Sequence, residues 1–245
     1  MIKNFYYLIF VLLLCSNCSL AQAPAWGGGA DDNITSFGFI FGYVNSNYII
    51  VKQPNWRAPY FDKGTDKYIT DSLTSISSGK LPGFSLGFLT RYSLSDHVEV
   101  RFTPTLIFGD REVVYTYTDP AENVTKEVQN TTADFPLSLK LKSDRVGNFR
   151  AYITGGLKYT LAIGNSNGNA NNNTGPLEKQ LTTKEGFASY EAGIGCDIYY
   201  EFFKLSPEIK ISNSLGNVLV PENQPFSSPI SKLFLHALTI SLYFE

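Results

Sequence analysis

Val98-Glu99-Val100-Arg101-Phe102-Thr103-Pro104-Thr105-Leu106-Ile107-Phe108-Gly109 alternates with a period of two. Val98, Val100, Phe102, Pro104, Leu106 and Phe108 fall on one face, and Glu99, Arg101, Thr103, Thr105 and Gly109 on the other. Successive side chains of a strand point to opposite sides, so the stretch reads as a β-strand with one greasy face and one small, ionic face.

Seven further runs carry the same pattern. Phe37, Phe39, Phe41 and Tyr43 oppose Gly38, Ile40 and Gly42, and Phe84, Leu86, Phe88 and Tyr92 oppose Ser85, Gly87 and Arg91. Phe135, Leu137, Leu139 and Leu141 oppose Ser138 and Lys140. Phe149, Ala151, Ile153, Leu157, Tyr159 and Leu161 oppose Arg150, Thr154, Gly156, Lys158 and Thr160. Tyr190, Ala192, Ile194, Cys196 and Ile198 oppose Glu191, Gly193, Gly195 and Asp197. Phe203, Leu205, Pro207, Ile209 and Ile211 oppose Lys204, Ser206, Glu208 and Lys210. Phe234, His236, Leu238, Ile240, Leu242 and Phe244 oppose Ala237, Thr239 and Ser241. Eight strands result, with no helix signal between them.

A soluble barrel hides its large apolar side chains and shows its charges to water. Here the polar face mixes Gly, Ser and Thr with seven cations (Arg91, Arg101, Lys140, Arg150, Lys158, Lys204, Lys210) and four anions (Glu99, Glu191, Asp197, Glu208). That mixture suits the crowded lumen of a small barrel, and the Phe, Tyr, Leu and Ile face suits a lipid belt. Connection lengths point the same way. Residues 45–82, 118–130, 163–186 and 213–232 form long connections, while 93–97, 143–148 and 201–202 form short ones. Long loops on one rim and tight turns on the other are expected of an outer-membrane barrel, whose turns are periplasmic. The expected fold is therefore all-β: an eight-stranded antiparallel transmembrane β-barrel, an up-and-down meander with four long extracellular loops and short periplasmic turns, over residues 36–245.

Composition narrows function. Of 245 residues, 17% are charged and the net charge is −2, so a chain held on nucleic acid by phosphate neutralisation is excluded. Two His and three Cys leave little for a metal cage or a disulfide framework. No cofactor and no small-molecule substrate are expected. Lys3 followed by the apolar run Phe5 to Leu14, then small residues, reads as a cleavable signal peptide over residues 1–23, cut after Ala21 or Ala23. The run is too short to span a bilayer as a helix. Leu14 and Asn17 stand where a lipidation motif wants a small residue before Cys15 or Cys18, which argues against lipidation. Residues 24–35, with Trp26 and Gly27 to Gly29, read as a flexible periplasmic lead-in. Leu242-Tyr243-Phe244-Glu245 resembles the aromatic terminal signal of outer-membrane barrels, shifted by one residue.

Pro82-Gly83-Phe84-Ser85-Leu86-Gly87, Glu99-Val100-Arg101-Phe102-Thr103-Pro104 and Phe108-Gly109-Asp110-Arg111 resemble the first half of the PorT family. Phe135-Pro136-Leu137-Ser138-Leu139-Lys140, Lys142-Ser143-Asp144-Arg145, residues 148–152 and Gly155-Gly156 resemble its middle. Residues 191–199 and Phe203-Lys204-Leu205-Ser206-Pro207-Glu208-Ile209-Lys210 resemble its last third. Cys196, in a Gly-x-Gly-x-Asp setting, and the Asn-rich stretch 165–174 depart from the pattern. The resemblance implies an integral outer-membrane component of the type IX secretion system, which exports proteins and supports gliding motility in Bacteroidetes. Its implied partners are outer-membrane lipid and other secretion components; no catalytic residue comes with it.

An eight-stranded barrel is just wide enough for its own side chains. With eleven charges inside, it is expected to be a plugged accessory part and not the conducting pore. Arg111 is a further candidate for an inward charge. In the first long loop, Trp56, Tyr60, Phe61 and Tyr68 are candidate contact residues or interfacial anchors. The rival readings are a passive outer-membrane binding or adhesion barrel and a protein-translocating porin. An enzyme is not expected: His97 falls in a tight turn beside Asp96, and His236 lies by register on the lipid face with Leu238 where a nucleophilic Ser would be wanted.

Overall fold

The computed structural model describes residues 31, 33–163 and 175–245, residues 129 and 130 by backbone alone. The expected signal peptide, most of the lead-in, Cys15 and Cys18, and the Asn-rich stretch lie outside the described residues.

Twelve strands follow one another: β1 (Thr35–Lys52), β2 (Phe61–Asp62), β3 (Lys67–Tyr68), β4 (Leu73–Ser77), β5 (Leu81–Ser95), β6 (Val98–Phe102), β7 (Thr105–Tyr117), β8 (Val124–Lys142), β9 (Phe149–Ile163), β10 (Gly186–Tyr199), β11 (Lys204–Ser214) and β12 (Ile230–Phe244). β6 and β7 are one wall strand interrupted at Thr103 and Pro104. With β1, β5, β8, β9, β10, β11 and β12 they make an eight-stranded wall. Each wall strand pairs antiparallel with its neighbours, and β1 pairs with both β5 and β12, so the sheet closes on itself. Closure leaves the wall strands without a free edge, as a lipid surround demands.

The interruption in the third wall strand has a chemical cause. Thr103 N–H donates to Pro136 O (3.2 Å) and Phe88 N–H to Pro104 O (3.0 Å), but neither proline has an N–H to return. The Thr103 carbonyl instead accepts the Thr105 hydroxyl at 2.7 Å.

Two storeys fill the cylinder. Near the short turns the inward residues are ionic, and Arg91, Arg101, Lys140, Lys204 and Glu99 rank among the largest fully buried side chains. Phe37, Phe88, Leu157 and Ile194 stand on the outside at 72%, 63%, 62% and 63% exposure. A water-soluble barrel would have those classes exchanged. At the opposite end, Val113, Tyr115, Val128, Leu181, Phe226 and Leu233 form an apolar core that also contains Leu73 and Ile76 of β4. β4 pairs with β7 from within the first long connection, bringing that connection down onto this core.

One expected loop is corrected. Residues 118–130 are not a long connection, because β7 and β8 stay paired as far as Tyr115↔Val124. Only residues 118–123 turn, through a short 3-10 helix (Pro120–Glu122) capped by the Asp119 side chain. The strands persist because Arg111, Val113, Tyr115 and Tyr117 continue the inward alternation beyond the greasy belt. The asymmetry of the two rims therefore resides partly in strand overhang and not in loop length alone. Likewise, β1 runs to Lys52 and β5 begins at Leu81, shortening the first connection.

Candidate functional site: the ionic lumen and its two mouths

The polar faces of all eight wall strands converge on one axis, which is why charges far apart in the chain meet. Lys140 Nζ lies 2.6 and 2.7 Å from the two Asp197 oxygens, and Ser206 donates to the same carboxylate. Arg101 lies 3.7 Å from Glu99 and 3.5 Å from Glu208, with its guanidinium between the rings of Tyr152 and Tyr243, each 5.2 Å away. Tyr243 donates to Glu208 at 3.0 Å. Lys210 bridges Glu191 (3.1 Å) and Glu208 (3.6 Å), and Lys158 meets Asp134 at 2.8 Å. Every candidate lumen charge lies inside: Arg91, Glu99, Arg101, Lys140, Arg150, Glu191, Asp197, Lys204 and Glu208 are buried, and Lys158 and Lys210 nearly so. Arg111 sits higher, hydrogen-bonded to Tyr48.

Sequence reading left seven cations facing four anions. In the structure Lys142 pairs with Glu99, adding a cation, while Asp31, Asp134 and Glu245 add anions, so eight cations meet seven anions in ion pairs. Lys142, Asp134 and Glu245 were legible: each continues the inward register by twos from a neighbour already assigned. Tyr152, Tyr199 and Tyr243, by contrast, break the rule that aromatics face lipid. Each is buried inside, and its ring covers cations that a small side chain could not.

Between these groups lies a cavity of about 30 Å³, lined by Ser85, Thr103, Asp134, Lys158, Glu191, Lys210, Ser212 and Tyr243 among others. That is room for about two waters and far too little for a polypeptide. Among the described residues, no group of three His, Cys, Asp or Glu side chains could hold a metal ion.

At the periplasmic mouth, Asp31 reaches in ahead of β1. Its carboxylate lies 3.1 Å from Lys204, 3.6 Å from Arg150 and 3.8 Å from Arg91, and accepts the Tyr199 hydroxyl. Burial pushes its pKa up, but Lys204 and the Tyr199 hydroxyl outweigh burial and hold it well below the usual carboxylate range. On the turns outside, His97 Nε2 and Asp144 Oδ1 lie 2.9 Å apart, a hydrogen bond that holds the Asp144 carboxyl below its ordinary value.

At the extracellular mouth the four loop candidates divide. Trp56 packs against the apolar core and lies under Lys52 (4.0 Å) and Arg57 (5.0 Å). Tyr60 donates to the Asn223 carbonyl at 3.0 Å, tying the first loop to the last. Phe61 and Tyr68 stay exposed and meet edge to face across the β2–β3 hairpin, with centroids 5.2 Å apart. His236 is half-buried on the wall, and its Nδ1 lies 2.7 Å from Asn213 Oδ1.

A closed antiparallel barrel with a greasy exterior and an ionic interior is the architecture of an integral outer-membrane protein. The chain belongs to the outer membrane protein beta-barrel domain family, whose model matches residues 34–220. No curated protein matches it. Among solved structures the chain is similar to the outer membrane protein OprG from Pseudomonas aeruginosa (12% identity, 85% of this chain and 93% of that one, TM-score 0.45). It is also similar to Neisserial surface protein A (11% identity, 85% and 97%, TM-score 0.43). A third is the outer membrane protein AlkL in lipid bilayers (13% identity, 87% and 92%, TM-score 0.40).

Proposed function

We propose that this outer-membrane barrel is a component of the type IX protein secretion system, needed for export of cargo proteins and contributing to gliding motility. It acts as a plugged accessory part and not as the conducting pore or an enzyme. The observation that carries the reading is the ordered series of sequence blocks resembling the PorT family, from Pro82-Gly83-Phe84 to Glu208-Ile209-Lys210. The filled lumen supports the accessory role, since an extended chain would have to displace the Arg101–Glu208 and Lys140–Asp197 pairs to pass. Partners then meet the extracellular head, the periplasmic turns or the lipid-facing wall. Deleting the gene is the test: cargo retained in the periplasm and missing from the medium supports the proposal, and normal export defeats it. The purified protein in planar bilayers should show no large stable conductance.

A passive adhesion barrel is the second reading. It is favoured by the well-packed extracellular head, where Trp56, Pro59, Tyr60, Pro225 and Pro229 line a cleft of about 150 Å³ open to the outside. Normal secretion with lost adherence in the deletion strain would select it.

A further inference from the structure

Asp31 enters the ionic network from outside the barrel strands. It precedes β1, its side chain remains 23% exposed, and four groups from four wall strands converge on it: Arg91 from β5, Arg150 from β9, Tyr199 from β10 and Lys204 from β11. Three cations and a hydroxyl around one carboxylate make a receptor for that group, with charge-assisted hydrogen bonds fixing its orientation.

The wall itself does not balance this receptor. Lys204 and Arg91 also have Glu245, and Arg91 has Glu99. Arg150, however, has Asp31 as its only carboxylate within 4.0 Å among the described residues. It also donates to two neutral carbonyls, Ser143 O at 2.6 Å and Asp96 O at 2.5 Å, and meets the Tyr199 hydroxyl. Without Asp31 a largely buried guanidinium would keep no carboxylate in contact, only the more distant charge of Asp144, and an incoming anion can take the vacated place. Arg145, stacked 3.8 Å from the Tyr199 ring, adds positive charge beside the opening.

We infer that the periplasmic mouth is a carboxylate-binding site which the chain's own Asp31 fills, and that an Asp or Glu side chain on an extended acidic peptide of a periplasmic partner displaces it. Asp31 is then an internal competitor that sets the threshold for partner binding. The inference stands on the barrel alone and is independent of the secretion reading.

The test uses the full chain in detergent micelles at low salt. The probe is an end-blocked peptide of sequence Ala-Asp-Asp-Asn-Ile-Thr carrying a neutral dye, read by fluorescence anisotropy. Asp31→Ala should bind it about tenfold more tightly than the unaltered chain, because the internal competitor no longer holds the site. Adding Arg150→Gln should abolish binding, and a peptide with Asn for both Asp residues should not bind. Equal affinity of Asp31→Ala and the unaltered chain overturns the inference, as does equal binding of the Asn peptide. Should Asp31→Ala fail to fold, Asp31→Asn keeps the side-chain volume and serves in its place. The unaltered chain must itself take up the acidic peptide at saturating concentration, and absence of binding there also overturns it.

Discussion

Lys204 and Glu245 meet twice. Lys204 N–H donates to Glu245 O at 2.7 Å, Glu245 N–H returns a bond to Lys204 O at 3.0 Å, and their side chains form an ion pair inside the barrel. Phe244 is thereby turned outward while the Glu245 side chain, wholly buried, also takes Arg91 at 3.4 Å. The alternation thus gives Phe244 to the lipid face and the position after it to the lumen.

Glu245→Gln should lower barrel stability by about 1–3 kcal/mol, since it removes a charge partner from two buried cations but keeps the fold's shape. The temperature at which the compact band on unheated gels converts to the unfolded band measures this. An unchanged transition would mean that Glu245 is not part of the network.

Glu191→Leu should cost more, roughly 3–5 kcal/mol, because a buried cation loses its nearer partner. Lys210 would keep only Glu208, 3.6 Å away and shared with Arg101. Adding Lys210→Met should restore much of the loss, and a double-mutant cycle read by urea unfolding in micelles checks the coupling.

Gly156→Val tests the β8–β9 seam. A Cβ at Gly156 would run into Leu137 O and the Ser138 backbone. Overpacking of this kind costs about 1–3 kcal/mol and should lower the yield of folded barrel on refolding into lipid. Gly175→Val, where a Cβ meets open space, is the control and should refold normally.

The Asp31 contact should not respond to mild acid. Its carboxyl titrates below the usual carboxylate range, so its stabilisation is complete above the unfolded pKa and is lost only as pH falls through the lower folded value. Arg91, Lys142, Arg150 and Lys204 face it; Glu99, Glu245 and Tyr199 surround them. The difference in transition temperature between the unaltered chain and Asp31→Asn should therefore be constant from about pH 8 to about pH 5. A difference that vanishes within that range would refute the placement.

The wall was legible because lipid on one side and a narrow lumen on the other force a strict period of two, and a single well-patterned run such as Val98 to Gly109 reveals it. The head was not. Val113, Tyr115, Tyr117 and Leu233 obey the same period above the membrane, yet nothing in the pattern marks where lipid ends and a second core begins. The inward tyrosines were missed for a related reason. Tyr152 looks like a belt residue by type, and only its place between Ala151 and Ile153 in the alternation betrays its direction. Asp31 had no signal at all, since it lies outside any strand and its partners come from four separate segments.

The packed head has a practical consequence for display technology. Loops of surface barrels are the usual places to graft an epitope, but here Leu181 and Leu219 are completely buried, and cutting the chain beside them would unseat the whole cap. The hairpin tip at Gly64 and Thr65, exposed and hydrogen-bonded to the Asp62 side chain, is where a foreign tag can be inserted with the least disturbance.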